Sequence, residues 1–146
     1  MAKDVLLGHF KHNLDPKNRV AIPAKLRVDL GDSFVLCVAP NGDKCLFAYS
    51  MRSWEKVMEY MRSQEPSKQH TRRQRRLYMY AEVVETDKQG RITIPAEFVK
   101  KADLVHEVLI TGMGERVELW SPERWDEMMQ AEYGQDEESG LLEPPI

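Results

Sequence analysis

The chain lacks a long apolar run. Its longest uninterrupted hydrophobic stretch falls far short of the roughly 20 residues that a helix needs to span a bilayer. The opening Met1-Ala2-Lys3-Asp4-Val5 carries no signal-peptide core, so a cytoplasmic location is expected and no membrane partner. Cysteine is scarce, with only Cys37 and Cys45. These read as two reduced thiols of a core hairpin, near each other across an Asn41-Gly42 turn. No further Cys or His pair stands at zinc-ligand spacing, so no metal is expected. His9 and His12 lie an odd count apart and would point to opposite faces of a strand. His70 and His106 sit in no motif. No Ser, Cys or carboxylate belongs to a recognisable catalytic string. Catalysis, a cofactor and a small-molecule substrate are therefore not expected.

Excess charge of one sign is also missing from most of the chain. Net charge is −3, but five acids (Glu132, Asp136, Glu137, Glu138 and Glu143) crowd the last 16 residues, which have no Lys or Arg. Residues 1–130 then hold 21 bases against 19 acids, and Lys68 to Arg76 carries five bases and no acid. A nearly neutral body with local basic patches leaves nucleic acid open as a partner without requiring it.

What the sequence does have is an internal repeat. Asp15, Arg19, Ile22, Pro23 and Ala24 recur as Asp87, Arg91, Ile94, Pro95 and Ala96 at a constant offset of 72. The match continues with small shifts. Ser33–Leu36 aligns with Glu107–Ile110, Leu46–Ser50 with Val117–Ser121, and Trp54 with Trp125. One unit of about 60 residues is used twice. Two copies are too few for a solenoid, so a pseudo-two-fold pair within the chain is expected. The division reads as 5–63 for the first unit, 64–76 for a basic hinge and helix, 77–131 for the second unit and 132–146 for an acidic mobile tail.

Each unit reads as a first strand (Leu6–Leu14; Ala81–Thr86), a tight turn, and a short strand (Arg19–Ile22; Arg91–Ile94). A short helix opened by Pro23 or Pro95 follows. In the first unit a hairpin then pairs Phe34–Val38 with Cys45–Tyr49. Ser50 and Ser121 are good caps for the longer closing helices, with Pro122 at the first helical position. Met51, Trp54, Val57, Met58 and Met61 recur at helical spacing, as do Trp125, Met128 and Met129. These stripes read as core or subunit-packing faces. The basic segment reads as a helix from Lys68 to Tyr80.

The turns carry the chemistry. Asp15 suits the first turn position, where its carboxylate accepts backbone N–H groups two residues on, and Pro16 supplies the next φ. Asn18 and Gly90 suit a left-handed position that closes a bulged three-residue hairpin. Arg19 and Arg91 emerge just beyond, within reach of Asp15 and Asp87. The tip then presents Lys17 and Arg19, or Lys88 and Arg91, with exposed backbone N–H groups, to phosphate or a guanine edge. A single Asp–Arg pair at a turn is ordinarily a surface ion pair worth under about 1 kcal/mol. Its repetition is equally what duplication of a structural turn would leave.

Asp87-Lys88-Gln89-Gly90-Arg91-Ile92-Thr93-Ile94-Pro95 resembles the signature of AbrB/SpoVT-like swapped-hairpin DNA-binding units at every position. Asp15-Pro16-Lys17-Asn18-Arg19-Val20-Ala21-Ile22-Pro23 departs only in having Asn18 for Gly, and Asn tolerates the left-handed conformation. Two such units, the opening Gly8-His9-Phe10 with Asn13-Leu14-Asp15, and Val117-Glu118-Leu119-Trp120 make the chain similar to the MraZ family over about residues 5–130. The resemblance implies a mainly β fold with short helices, built of tandem swapped-hairpin β-barrel units as an intrachain pseudo-dimer. It implies a repressor of the division and cell-wall gene cluster, including its own gene, that binds direct repeats in promoter double-stranded DNA. It also implies a ring-shaped homo-oligomer at the nucleoid, with DNA binding tied to Asp15, Arg19, Asp87 and Arg91. Lys17, Asn18, Lys88 and Gly90 complete the expected site. The competing readings are an oligomeric scaffold that binds no DNA and an AbrB-type antitoxin. The second would need apolar anchors in the tail, which here is short and acidic.

Overall fold

The computed structural model describes residues 5–136, 138 and 140–146. Met1–Asp4 of the opening segment and Glu137 of the acidic tail lie outside the described residues. The chain runs β1 (His9–Asn13), β2 (Arg19–Ala21), α1 (Ala24–Leu30), β3 (Ser33–Val38), β4 (Leu46–Ser50), α2 (Met51–Ser63) and α3 (Lys68–Met79). It continues β5 (Ala81–Glu85), β6 (Arg91–Thr93), α4 (Ala96–Lys101), β7 (Glu107–Gly112), β8 (Val117–Trp120) and α5 (Pro122–Tyr133).

The two halves exchange strands. β1 of the first half pairs with β7 of the second, and β5 of the second pairs with β3 of the first. β4 and β8 meet at the centre, giving a six-stranded antiparallel sheet in the order β1-β7-β8-β4-β3-β5. Exchanging the halves reverses this order onto itself, which is the expected pseudo-two-fold. The second place where the halves meet is a two-stranded ribbon of β2 and β6, with Val20 opposite Ile92 at its middle. The expected barrel is not formed. Among the described residues the strands make an open sheet with β1 and β5 at its edges, plus the separate ribbon, because β2 and β6 pair only with each other.

Period-two alternation divides the buried side chains between the sheet's two faces. Phe34, Leu36, Leu46, Ala48, Val108, Ile110, Val117 and Leu119 face one way. There they meet Val20, Ile22, Ile92 and Ile94 of the ribbon segments and Leu26, Leu30 and Phe98 of α1 and α4. Cys37, Phe47, Leu109 and Trp120 face the other way, against Met61 of α2 and Leu77 of α3, with Trp54 and Trp125 packed alongside. The Trp54 and Trp125 stripes are thus largely used within the chain, although Met51 and Met129 stay exposed. Both cysteines are free and buried on this second face. Burial pushes the Cys37 thiol up to about 12 and that of Cys45 further in the same direction.

The first strand is shorter than the expected Leu6–Leu14. The chain turns at Gly8 (φ 106°), and Leu6 joins the sheet only by an isolated bridge to Gly114, yet its side chain is fully buried. Ser50 and Ser121 cap α2 and α5 through the N–H groups of Ser53 and Arg124. Ser67, read as hinge, caps α3 through His70 N–H. Beyond α5 the described tail residues form neither helix nor strand.

Candidate nucleic-acid interface

The two turns are built alike, atom for atom. In the first, Asp15 N–H donates to the Arg19 carbonyl and Asn18 N–H to the Asp15 carbonyl, each at 2.9 Å. Asp15 Oδ1 accepts from Lys17 N–H (2.9 Å) and Arg19 N–H (2.8 Å). Its Oδ2 accepts from Arg19 Nε at 2.7 Å. In the second, Asp87 Oδ1 accepts from Gln89 N–H (2.8 Å) and Arg91 N–H (2.9 Å), and Oδ2 from Arg91 Nε at 3.0 Å. Asn18 (φ 61°) and Gly90 (φ 77°) both take the left-handed conformation. The backbone N–H donors, foremost those of Arg19 and Arg91, hold both carboxyls below the usual carboxylate range.

One expectation fails here. The turn N–H groups of residues 17–19 and 89–91 are not free for a ligand, because the aspartates consume them. What the turns do leave available is the far edge of each guanidinium. The aspartate engages Nε, which fixes the side chain, while Nη1 and Nη2 have no hydrogen-bond partner among the described residues.

The ribbon brings the turns together. Arg19 lies opposite Thr93, and Ala21 opposite Arg91. Directly opposed residues share a face of an antiparallel ladder, as do residues two apart. Arg19, Ala21, Arg91 and Thr93 therefore form the outer face, while Val20 and Ile92, each 1% exposed, form the inner one. The two arginines sit about 7 Å apart along the ribbon. Each end is latched by one more bond, Ile22 N–H to the Gly90 carbonyl (2.9 Å) and Ile94 N–H to the Asn18 carbonyl (2.8 Å). Lys17 and Lys88 are exposed on the turns. Asn18 is half-buried and Gly90 is buried, so the eight expected residues divide into outward cations and the groups that hold them.

Sequence reasoning passed over Arg27. Its guanidinium occupies the space above Gly90, where a Cβ would lie 2.5 Å from Nη1 and 2.6 Å from Cζ. The signal was in the repeat itself, because Asn18 and Val99 stand where the other copy has Gly90 and Arg27. Also unforeseen is buried Glu118, which accepts from Arg116 Nη2 (2.8 Å) and Trp120 Nε1 (2.9 Å) on the sheet's second face. The five bases of the Lys68–Arg76 segment lie on α3, which packs on that second face, away from the ribbon.

Strand exchange between two copies of one β-unit, with a shared ribbon flanked by paired Asp–Arg turns, defines a class of duplicated β-ribbon proteins. The model of the MraZ protein family, described as antitoxin-like, matches the chain twice, over residues 5–77 and 77–139. Over 123 residues the chain is 43% identical to the transcriptional regulator MraZ of Halothermothrix orenii, covering 83% of this chain and 84% of that one. The chain belongs to the MraZ family. No helix among the described residues is long and apolar enough to cross a membrane.

Proposed function

We propose that this protein is a sequence-specific DNA-binding transcriptional regulator. The observation that carries the reading is the ribbon's outer face, with two arginines side by side, each tied at Nε and open at its terminal fork. The major groove admits a two-stranded ribbon, and an arginine fork matches guanine O6 and N7. Arg19 and Arg91 read bases. Lys17 and Lys88 meet phosphate. Asp15 and Asp87 orient the arginines, and Asn18 and Gly90 close the turns. The name of the Halothermothrix orenii relative supports the regulatory role.

The finer reading is a repressor acting on direct repeats in the promoter of the division and cell-wall gene cluster, including its own gene. Subunits gather in a ring at the nucleoid, and the chain divides at 5–63, 64–76, 77–131 and 132–146. The exchanged strands favour treating each chain as a swapped pseudo-dimer. A gel shift on the duplex upstream of the protein's own gene tests the reading. A discrete complex that resists nonspecific competitor is expected, and no complex at moderate salt overturns it.

A further inference from the structure

The two ends of the ribbon differ in what lies over the turn. At the second turn the Arg27 guanidinium, carried from the first half on α1, fills the space over Gly90. The pseudo-symmetric positions at the first turn are Asn18 and Val99, so that end has no corresponding cation. Arg27 is half-buried, its Nε is buried with no hydrogen-bond partner, and it makes no ion pair among the described residues. Removing a guanidinium from water is unfavourable unless an anion completes it. Arg27 lies against the turn that orients Arg91, one residue from it in sequence through Gly90.

We propose that Arg27 is a third DNA-contacting arginine, which binds a backbone phosphate beside the base-reading Arg91 at the second turn only. The inference rests on the DNA-binding reading above. It gives the pseudo-two-fold chain a direction, because one end of the ribbon holds the backbone with an extra cation and the other does not. A symmetric ribbon would suit a palindromic site, whereas a polar one suits repeats that all run the same way. It also accounts for glycine at position 90, since any side chain there displaces Arg27.

The test uses the full-length protein and the duplex upstream of its own gene, titrated between 50 and 500 mM salt. Arg27→Met keeps the apolar stem and removes the charge. Each lost phosphate contact lowers the log–log salt slope by about 0.9, so affinity should fall about eight-fold less per contact over that range. Arg27→Lys should restore most of the slope, and circular dichroism should report an unchanged fold. The paired variant Asn18→Gly with Val99→Arg copies the second end onto the first and should steepen the slope by a similar amount. A folded Arg27→Met protein with wild-type slope and affinity would show that Arg27 merely packs over Gly90. If Arg27→Met fails to fold, a folded paired variant with an unchanged slope overturns the proposal instead. Absence of any wild-type complex would defeat the DNA-binding reading itself, a result distinct from these.

Discussion

Asp15 and Asp87 each spend both oxygens on their own turn, so neither is placed as a ligand for an anion. A carboxylate near phosphate is repulsive, and its contribution is to hold the arginine. Arg19→Ala should therefore cost about five- to 150-fold in specific affinity per site, as expected for a guanine contact worth about 1–3 kcal/mol, with the fold intact. Wild-type gel-shift affinity in the folded variant would remove Arg19 from the site. Asp15→Asn keeps an acceptor for the backbone and loses the carboxylate charge that pairs with Arg19, so it should weaken binding less than Arg19→Ala. Tighter binding by Asp15→Asn would mean that the aspartate is only a repulsive charge. The pH dependence follows from the same geometry. Both folded-state carboxyls are lowered, so their contribution to stability is complete above the unfolded value near 4 and is lost as pH falls through the folded value. The melting-temperature gap between wild type and Asp15→Asn/Asp87→Asn should be flat from pH 5 to 8 and should shrink below pH 4.

Strands and helices were legible where their pattern was local. The offset-72 repeat, the left-handed turn residues and the serine caps all reappear in the fold because each is fixed within a few residues. Which strand pairs with which was not written locally. β1 belongs to the first half, yet it pairs with β7 of the second, a choice that no local pattern in the sequence marks. The same limit applied to the site. The Asp15–Arg19 and Asp87–Arg91 turns were legible from spacing and their link to DNA came from the resemblance, but the common face of the arginines depends on the β2–β6 register. Arg27 is a contact between halves. Ile92 tests the ribbon as an element, because it is 1% exposed opposite Val20. Ile92→Ala should destabilise the protein by about 2–5 kcal/mol in denaturant melts. DNA binding should be lost along with the ribbon, while Thr93→Ala on the outer face should leave stability nearly unchanged. The basic helix α3 supplies the opposite control. It packs on the face away from the ribbon, so Arg72→Gln/Arg75→Gln should leave the salt slope of specific binding unaltered. A slope reduced by about 2 would instead put α3 on the DNA.

A single molecule offers DNA one ribbon and carries a net charge of −3. Three arginines, counting Arg27, and two exposed lysines are few contacts for a duplex, so a lone chain should bind weakly. Specific binding should then need several ribbons held together, which would raise the effective concentration of each at the next site. The chain's pseudo-two-fold already uses one isologous contact internally. Further growth through a head-to-tail contact closes into a ring if the rotation permits. Met51, Tyr60, Met79 and Val83 are exposed apolar residues on or beside α2, α3 and the edge strand β5, and they offer surface for such a contact. Ribbons presented in tandem should meet repeats spaced near one helical turn, about 10 bp, so that successive ribbons face the same side of the duplex. Inserting about 5 bp between repeats should turn one of them to the far side and cut affinity sharply, whereas inserting about 10 bp should restore much of it. Light scattering on the same samples should report an oligomer at the concentrations where the footprint covers more than one repeat. A monomer that protects one unrepeated site at full affinity, indifferent to the 5 bp insertion, would refute assembly as the source of specificity.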